Sequence, residues 1–189
     1  MSGSFSLWDF SDSPTPVVGV FRSDSGPGGL VIGSAFDDYI QGRSNTSVRG
    51  GAGNDLIILY GPSHYADGGP GADNIHLSRD PLTHSTVHVA SISDLTDGVQ
   101  WDTIHQFSKN DTVDLGDIDA NSNLDGNQAF TWMGTAKFDG HAGELRYTHS
   151  DHHGHPSLVV EGDVNGDGVA DFHFVIMGHQ HLYADNFVL

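Results

Sequence analysis

The chain has 189 residues, of which 25 are acidic and only 7 are lysine or arginine, so its formal net charge is −18. That length suits a single domain, and the lack of a basic surface excludes binding to nucleic acid through its phosphates. Without cysteine or a long apolar run, the chain has no disulfide framework, and no membrane insertion is predicted. Only Glu144 and Glu161 are glutamate and the other 23 acidic residues are aspartate, which favours turns, so divalent cations are the expected partners.

Residues 1–29 are rich in Ser, Pro and Gly. This composition predicts an N-terminal arm with one short strand over residues 17–21. The first ten residues have neither a basic start nor an apolar stretch, so no N-terminal secretion signal is predicted. We expect one domain over residues 30–189, with repeats at about 33–77 and a β-rich cap at about 78–189.

Glycine and aspartate recur at a fixed spacing after the arm. Residues 50–58 and 68–76 both follow the pattern G-G-x-G-x-D-x-U-x, where U is a large apolar residue, and they start 18 residues apart. A weaker copy at residues 33–41 starts 17 residues before the first of them. Such nonapeptides are the signature of calcium-binding parallel β-structures.

The repeat has a direct physical interpretation. Six residues form a tight turn whose glycines let carbonyl groups point inward, and three residues form a strand with a buried middle side chain. The buried side chains are expected to be Ile40, Ile57 and Ile75. Carbonyl and carboxylate oxygens are the hard ligands that suit calcium.

Units 18 residues apart should stack on one edge of the structure. Two intervening units, 42–49 and 59–67, have lost the pattern, and His64 takes the aspartate position in the second. The expected result is a one-sided aspartate ladder, Asp38, Asp55 and Asp73, with about two calcium ions between neighbouring loops. The residues predicted to form these sites are Asp38, Gly50, Gly51, Ala52, Gly53, Asn54, Asp55, Gly68, Gly69, Gly71, Ala72 and Asp73.

Calcium should also control folding. Without metal, the carboxylates of the aspartate ladder would lie about 5 Å apart, the spacing of neighbouring strands, and would repel one another. Three-residue strands bury little apolar surface to offset this repulsion. We therefore expect a chain that is partly or wholly disordered in low calcium and that folds at extracellular calcium levels.

Short alternating segments separated by Gly, Asn and Asp dominate the rest of the chain, which predicts an all-β protein with a mostly antiparallel, sandwich-like cap. Residues 91–97 are the best helical candidate, and the segment is short. The predicted strands are 86–90, 103–107, 112–115, 129–133, 144–149, 157–161, 172–177 and 187–189.

A second calcium loop is suggested near residue 163. Asp163, Asn165, Asp167 and Asp171 have the oxygen spacing of the start of an EF-hand loop, but Phe174 stands where the bidentate glutamate is required. A hairpin turn explains the same residues equally well. Asp37 and Asp102 are further candidate calcium ligands.

The 13 histidines are numerous for this length. Seven of them fall on an apparent hairpin turn and on adjoining strands, where imidazoles could bind zinc, nickel, copper or a haem iron. A solvated loop with histidines at strand edges is the simpler interpretation. The seven are His149, His152, His153, His155, His173, His179 and His181.

Six further stretches carry a resemblance to a known family. They are 102–107 (DTIHQF), 111–115 (DTVDL), 129–131 (AFT), 143–147 (GELRY), 162–172 (GDVNGDGVADF) and 184–189 (ADNFVL). With the nonapeptides, they make residues 30–189 resemble the C-terminal calcium-binding domain of serralysin-type metallopeptidases, an RTX β-roll followed by a β-sandwich-like cap.

The resemblance implies a secreted, extracellular module. It implies export through a type I exporter that recognises an uncleaved C-terminal signal, and Asp185 followed by the apolar residues 187–189 fits such a signal, with Asn186 between them. No H-E-x-x-H and no G-x-S-x-G motif occurs, so no catalysis is expected. Two alternatives remain open: a histidine-rich metal or haem scavenger, and an accessory module of a secreted peptidase or polysaccharide-modifying enzyme.

Overall fold

A computed structural model of the chain describes residues 5–22, 28–43, 45–61, 64–80, 84–95, 101–152, 154–179 and 181–189. These residues form sixteen strands and two short 3-10 helices, at Ile92–Leu95 and Ala184–Asn186. The strands are β1 (Ser6–Asp9), β2 (Val18–Arg22), β3 (Gly29–Ile32), β4 (Tyr39–Arg43), β5 (Thr46–Arg49), β6 (Leu56–Tyr60), β7 (His64–Asp67), β8 (Asn74–His76), β9 (Ser85–His88), β10 (Thr103–His105), β11 (Thr112–Asp114), β12 (Thr131–Gly134), β13 (Glu144–His152), β14 (His155–Asp163), β15 (Phe172–Met177) and β16 (Phe187–Val188).

The strands alternate between two sheets, which is the hallmark of a β-roll. One sheet has the order β1-β3-β5-β7-β9-β11-β16, and the other has β12-β13-β14-β15-β10-β8-β6-β4-β2. Along β1 to β11 each coil therefore adds one strand to each sheet, and neighbouring strands are parallel. The all-β roll predicted from the nonapeptides is confirmed.

The core lies between the two sheets and is built from rows of in-register side chains. Ile40, Ile57 and Ile75 are at most 1% exposed and align on β4, β6 and β8, followed by Ile104 on β10. Val31, Val48, Ala66, Val87 and Val113 form the facing row on the other sheet. The three isoleucines predicted to be buried are thus the centre of the core.

The N-terminal residues are part of the roll. The strand predicted over residues 17–21 is β2, which pairs with β4, and β1 adds a strand that the sequence pattern did not indicate by pairing with β3. Trp8 and Phe10 pack on Phe21, with ring centroids 5.7 and 5.6 Å away, and all three contact the end of the core. The turn that joins β1 to β2 has no G-G-x-G-x-D unit, so the nonapeptide period could not reveal this coil.

The parallel roll continues further than the sequence suggested. Strands β9, β10 and β11 pair in parallel with the coils before them, and β16 joins β11 in parallel at the end of the chain. Antiparallel pairing is found between β13 and β14 and between β14 and β15. Alternating hydrophobicity reports which face of a strand is buried, but it does not report the direction of the neighbouring strand.

The helical candidate at residues 91–97 is a single 3-10 turn, and residues 96–100 lie outside the described part of the chain. No helix among the described residues is long and apolar enough to cross a membrane.

Candidate calcium sites

The aspartate ladder lies at one edge of the nine-stranded sheet. Asp38, Asp55 and Asp73 each stand directly before a strand, and those strands, β4, β6 and β8, are in register. All three aspartates are buried, with at most 3% of their surface exposed. The 17- and 18-residue spacings in the sequence therefore place three carboxylates in a column.

Backbone hydrogen bonds tie this column together. The Asp38 N–H donates to Asp55 Oδ1, the Asp55 N–H donates to Asp73 Oδ1, and each N–O distance is 2.8 Å. The Asp73 N–H donates in the same way to Asp102 Oδ1, also at 2.8 Å, and β10 pairs with β8. Asp102 thus continues the aspartate ladder by one strand.

Asp55 and Asp73 differ from Asp38 in the hydrogen bonding of the carboxylate oxygen Oδ2. Among the described residues, Asp55 Oδ2 and Asp73 Oδ2 are buried and have no hydrogen-bond partner. Asp38 is different, because its Oδ2 accepts the Ser34 N–H at 2.6 Å and its Oδ1 accepts the Val17 N–H at 2.6 Å. Burying a carboxylate oxygen without a partner costs folding free energy. A bound cation would offset this cost at Asp55 and Asp73, whereas hydrogen bonds already do so at Asp38.

Glycines shape the space around these orphaned oxygens. A Cβ atom added at Gly50 would lie 2.1 Å from Asp55 Oδ2 and 2.5 Å from the Gly68 carbonyl oxygen. A Cβ atom added at Gly68 would lie 2.0 Å from Asp73 Oδ2. Only glycine therefore lets the backbone approach each carboxylate so closely, and at Gly50 a carboxylate oxygen and a carbonyl oxygen share the cradle.

The turns also stack directly on one another. Gly51, Gly53, Gly69 and Gly71 have φ angles of 111°, 118°, 92° and 146°. A Cβ atom at Gly69 would lie 2.0 Å from the Gly51 carbonyl oxygen, and one at Gly71 would lie 1.9 Å from that of Gly53. The glycines of the nonapeptide are therefore required both by backbone conformation and by the contact between successive turns.

A second set of hydrogen bonds joins the residues that directly precede Asp38, Asp55 and Asp73 in the sequence. Asp37 Oδ1 accepts the Asn54 N–H at 2.8 Å, and Asn54 Oδ1 accepts the Ala72 N–H at 2.9 Å. The Ala52 N–H donates to the Ser34 carbonyl oxygen at 3.2 Å. Asp37, Asn54, Ala52 and Ala72 thus hold neighbouring turns in register through side-chain and backbone bonds.

Burial raises the pKa of both Asp55 and Asp73 to about 8. The backbone N–H that each accepts lowers the pKa, and neighbouring aspartates raise it: Asp73 and Asp38 for Asp55, and Asp102 for Asp73. The charged forms are therefore unfavourable in this environment unless a cation lies beside them.

The available donors fit calcium. Carboxylate and carbonyl oxygens are offered in these turns, and calcium accepts six to eight oxygen ligands in flexible geometry. Asp55 and Asp73, with carbonyl groups of the turns at residues 50–53 and 68–71, are the residues that would hold it. The ion would supply the positive charge that the buried carboxylates lack.

The sequence did not single out Asp94. It is 7% exposed, follows Ser91 in the 3-10 turn, and accepts the Ser91 N–H through Oδ2 at 3.0 Å. With Asp67, Asp102 and the Gly68–Gly69 backbone it lines a small cavity at the end of the aspartate ladder, and burial raises its pKa. No nonapeptide surrounds Asp94, so only the fold reveals that it lies near the aspartate ladder.

The corresponding edge of the seven-stranded sheet has different chemistry. Thr46, His64 and Ser85 are the first residues of β5, β7 and β9, and Asp111 directly precedes β11. His64 is buried and its Nδ1 lies 3.1 Å from the Thr46 carbonyl oxygen. Asp111 uses both carboxylate oxygens, accepting the Ser85 N–H at 2.7 Å and the Ser108 N–H at 2.8 Å. Among the described residues, this edge has no orphaned carboxylate.

The loop at residues 163–171 is closed by its own hydrogen bonds. Asp163 is fully buried and accepts the Gly166 N–H through Oδ1 at 2.7 Å and the Gly168 N–H through Oδ2 at 2.8 Å. Asp171 Oδ2 accepts the Val164 N–H at 2.7 Å, and Asp171 Oδ1 accepts the side-chain amide of Asn165, also at 2.7 Å. Asp167 Oδ1 accepts the Val169 N–H at 2.8 Å. These bonds account for the aspartates as turn residues, and calcium binding here stays a prediction.

The structure does not gather the described histidines of the predicted transition-metal set into a three-ligand group. The rings of His149 and His181 are 6.2 Å apart, whereas His173 packs on Trp101 and His179 packs on Phe107. Burial lowers the pKa of both His173 and His179. His155 is exposed at the end of the β13–β14 hairpin; His153 and the side chain of His152 lie outside the described residues.

Comparison with known proteins gives a family and a fold. The family profile described as peptidase M10 serralysin C terminal matches residues 43–189. The solution structure of the AlgE6R3 subunit from the Azotobacter vinelandii mannuronan C5-epimerase is similar to this chain with a TM-score of 0.54 at 23% identity, covering 81% of this chain and 78% of that one. No curated protein matches the chain significantly.

Proposed function

The chain belongs to the serralysin C-terminal family, and from this membership we propose that it is a secreted module that folds around calcium outside the cell and carries its export signal at its C-terminus. The family is one of calcium-binding RTX β-roll modules that lack the catalytic part of the peptidase. The proposal adds the sites, the place of folding and the route of export.

The single observation that carries the calcium part is the pair of orphaned oxygens, Asp55 Oδ2 and Asp73 Oδ2. Both lie in glycine-shaped cradles, the Gly68 carbonyl oxygen lies in the Asp55 cradle, and both belong to carboxyl groups whose pKa is raised by burial. A divalent cation with oxygen ligands relieves the unpaired oxygens and the repulsion along the aspartate ladder at once.

Calcium counting tests this part of the proposal. We expect equilibrium dialysis with radioactive calcium to find about two tightly bound ions per chain, and more if the cavity beside Asp94 and Asp102 also binds one. The double variant Asp55→Asn/Asp73→Asn should lose the tight ions. The matched control Asp12→Asn/Asp125→Asn removes two exposed aspartates and should retain them. Equal calcium binding by the two double variants would contradict the proposed sites.

The contacts of the C-terminus support export before folding. Phe187 is 7% exposed in the core, and Asn186 is buried, with its side-chain amide donating to the Asp111 carbonyl oxygen at 3.3 Å. In the folded protein an exporter could not reach these side chains. A C-terminal signal would therefore be read while the chain is unfolded, which is the state expected in the low calcium of the cytoplasm.

An export assay tests the route. We expect the full chain, produced with a type I exporter of the serralysin class, to appear in the medium, and the chain without residues 185–189 to remain in the cells. Production without the exporter is the control. Because the truncation also removes β16, the quadruple tail variant Asp185→Ser/Phe187→Ser/Val188→Ser/Leu189→Ser with an unchanged length is tested in parallel. Export of both altered chains at the level of the full chain would contradict a C-terminal signal.

The alternative of an accessory module of a secreted enzyme rests on the family, whose profile is named for the C-terminal domain of a peptidase. Both functions need the same calcium-dependent fold. The genomic neighbourhood separates them, because an exporter gene beside a free-standing reading frame supports a self-contained exported protein.

A further inference from the structure

A second set of metal-ligating side chains lies away from the aspartate ladder, on the loop before β13. Asp139, His141 and Glu144 each offer one ligand atom, and the three atoms lie within 4.8 Å of one another. Within the described part of the chain this is the only group of three or more such residues that comes this close. Neither the nonapeptides nor the histidine pattern pointed to it.

The buried member of the group is Glu144. It is 3% exposed, begins β13, and is in register with Asp163 on β14. Its Oε2 accepts the Asp139 N–H at 2.9 Å. This buried carboxylate lies beside two further ligand atoms, and together they form part of a metal-ligand set.

The loop holds the group in place through its backbone. Gly140 and Gly143 have φ angles of 94° and 90°, which reverse the chain between the three donors. The Gly143 N–H donates to the Asp163 carbonyl oxygen, the Thr131 N–H donates to the Gly143 carbonyl oxygen, and both distances are 2.7 Å. The base of the loop is therefore fixed to β12 and β14, so Glu144 has a defined position.

The nearby arginine does not neutralise the group. Arg146 pairs with Glu161 at 3.0 Å and lies over the Phe138 ring, 4.5 Å from its centroid. Asp139 is hydrogen-bonded to His141. Two carboxylates and one imidazole consequently share one small volume, with the Asp139 and His141 side chains exposed by 58% and 82% and open to water and ions.

The donor types identify the class of ion. Calcium takes oxygen ligands, and the aspartate ladder supplies only those, whereas an imidazole with carboxylates suits first-row transition metals. Three protein ligands with solvent-accessible remaining positions are typical of zinc sites that retain water. We propose that Asp139, His141 and Glu144 bind one divalent transition metal ion of the zinc class, independently of the calcium sites.

Zinc titration of the full chain, folded in saturating calcium, tests the proposal. We expect isothermal titration calorimetry to show one zinc ion bound in the micromolar range through this group. The variant His141→Gln should weaken this binding at least about tenfold, because even second-shell changes cost metal sites about 10- to 100-fold. The matched control His155→Gln removes an exposed histidine from the β13–β14 hairpin and should bind zinc like the parent.

A second pair of measurements covers a variant that fails to fold. Glu144→Gln removes a buried charge, so Asp139→Asn, which changes an exposed ligand, is measured beside it with circular dichroism as the folding check. Bound cobalt should give the parent a visible absorption band that Asp139→Asn and His141→Gln both lose. Calcium stoichiometry should be the same in all folded variants.

Three outcomes would overturn the proposal: no zinc binding at micromolar concentrations, undiminished binding by His141→Gln and Asp139→Asn, or binding that is lost only when His152 and His153 are replaced. None of these outcomes bears on calcium binding, so the zinc proposal can be wrong while the proposed function is right, and the reverse.

Discussion

Asp38, Asp55 and Asp73 occupy the same position of their repeats, yet their carboxylates have different partners. Ser34 donates both its N–H and its hydroxyl to Asp38, which leaves that carboxylate satisfied by the protein. Gly51 and Gly69 take the place of Ser34 in the other two copies and have no such side chain, and Asp55 and Asp73 each retain a free oxygen. The carboxylate of the weak copy at residues 33–41 is therefore satisfied by hydrogen bonds, whereas those of the other two copies each keep an oxygen without a partner.

The first prediction compares these aspartates. Asp73→Asn should lower calcium affinity at least about tenfold, since it removes a charged ligand and leaves an amide beside the carbonyl groups of the turn. Asp38→Asn should affect calcium less than Asp73→Asn, because the Asp38 oxygens already accept hydrogen bonds. Calorimetric titration with calcium measures both, and a larger loss in Asp38→Asn would show that the free oxygens are not the ligands.

The second prediction concerns pH. In the calcium-free fold, burial raises the pKa of Asp55 and Asp73 to about 8, whereas in the unfolded chain an aspartate ionises near its ordinary value of about 4. Between these values the folded state binds protons that the unfolded state has lost. Without calcium, stability contributed by these groups is therefore present at low pH and is lost as the pH rises toward 8.

Urea unfolding in metal-free buffer measures this dependence from pH 5 upward, to the pH at which the calcium-free chain no longer has a folded state to unfold. Between pH 5 and pH 8 the calcium-free midpoint should fall, and the gain from added calcium should grow because calcium stabilises the ionised carboxylates. In Asp55→Asn/Asp73→Asn the calcium-free slope should be flatter. A calcium-free midpoint that rises toward pH 8 would contradict the assignment.

The third prediction concerns one glycine. Gly68→Ala places a Cβ atom 2.0 Å from Asp73 Oδ2, so the turn must shift and the cradle closes. We expect a large loss of calcium affinity, measured by the same titration. The control Gly168→Ala has a positive φ of 81°, which Gly68 does not have, and its Cβ atom meets nothing within 4 Å, so it should retain the ladder calcium. Similar losses in both variants would show that the Cβ contact with Asp73 is not the cause.

At the scale of elements, each coil contributes two short strands whose inner side chains meet between the sheets. Ile57 is fully buried, and it lies in register between Ile40 and Ile75. Such a row is continuous through the roll, so a gap in one coil weakens its contact with both neighbours.

The fourth prediction follows from this row. Ile57→Ala should lower the calcium-bound free energy of unfolding by about 2–5 kcal/mol, the usual cost of a large-to-small change in a packed core. Val20→Ala, at a position on β2 that is 57% exposed, should change it by less than about 1 kcal/mol. Denaturant unfolding in saturating calcium measures both variants. Equal losses of unfolding free energy would show that Ile57 does not contribute to a packed core.

The sequence predicts the elements of the repeat well and those outside it less well. The nonapeptide period correctly predicts Ile40, Ile57 and Ile75 as buried, because glycine turns and a short strand repeat together. It does not predict that β1 belongs to the roll or that β9 to β11 continue it in parallel, since those coils use other turn residues. Asp102 could be suspected from its motif, but Asp94 and Glu144 gain their neighbours only through the fold.

In the whole molecule, the acidic residues behind the net charge of −18 have at least two roles. Two calcium ions would cancel only four of these charges, so most of the acidic residues are not balanced in this way. Many aspartates instead accept backbone N–H groups in turns, as Asp163 and Asp171 do. The remaining net charge keeps an unfolded chain soluble and opposes its collapse before calcium is present.

The same charge is the reason why we expect folding to depend on calcium. The roll stacks buried carboxylates on consecutive strands, and each coil has only three to five residues per strand to offset their repulsion. Calcium binds the folded state and stabilises it by mass action, so the folded fraction should follow the calcium concentration. Magnesium, which demands six ligands in a stricter geometry, should be a poor substitute.

Far-ultraviolet circular dichroism of the full chain at neutral pH tests this account most directly. The chain is freed of metal, measured, and then titrated with calcium, with magnesium at the same concentrations as the control. The account predicts a largely disordered spectrum without metal, a β spectrum that appears at millimolar calcium, and little response to magnesium. An unchanged β spectrum in the absence of calcium would contradict calcium-dependent folding.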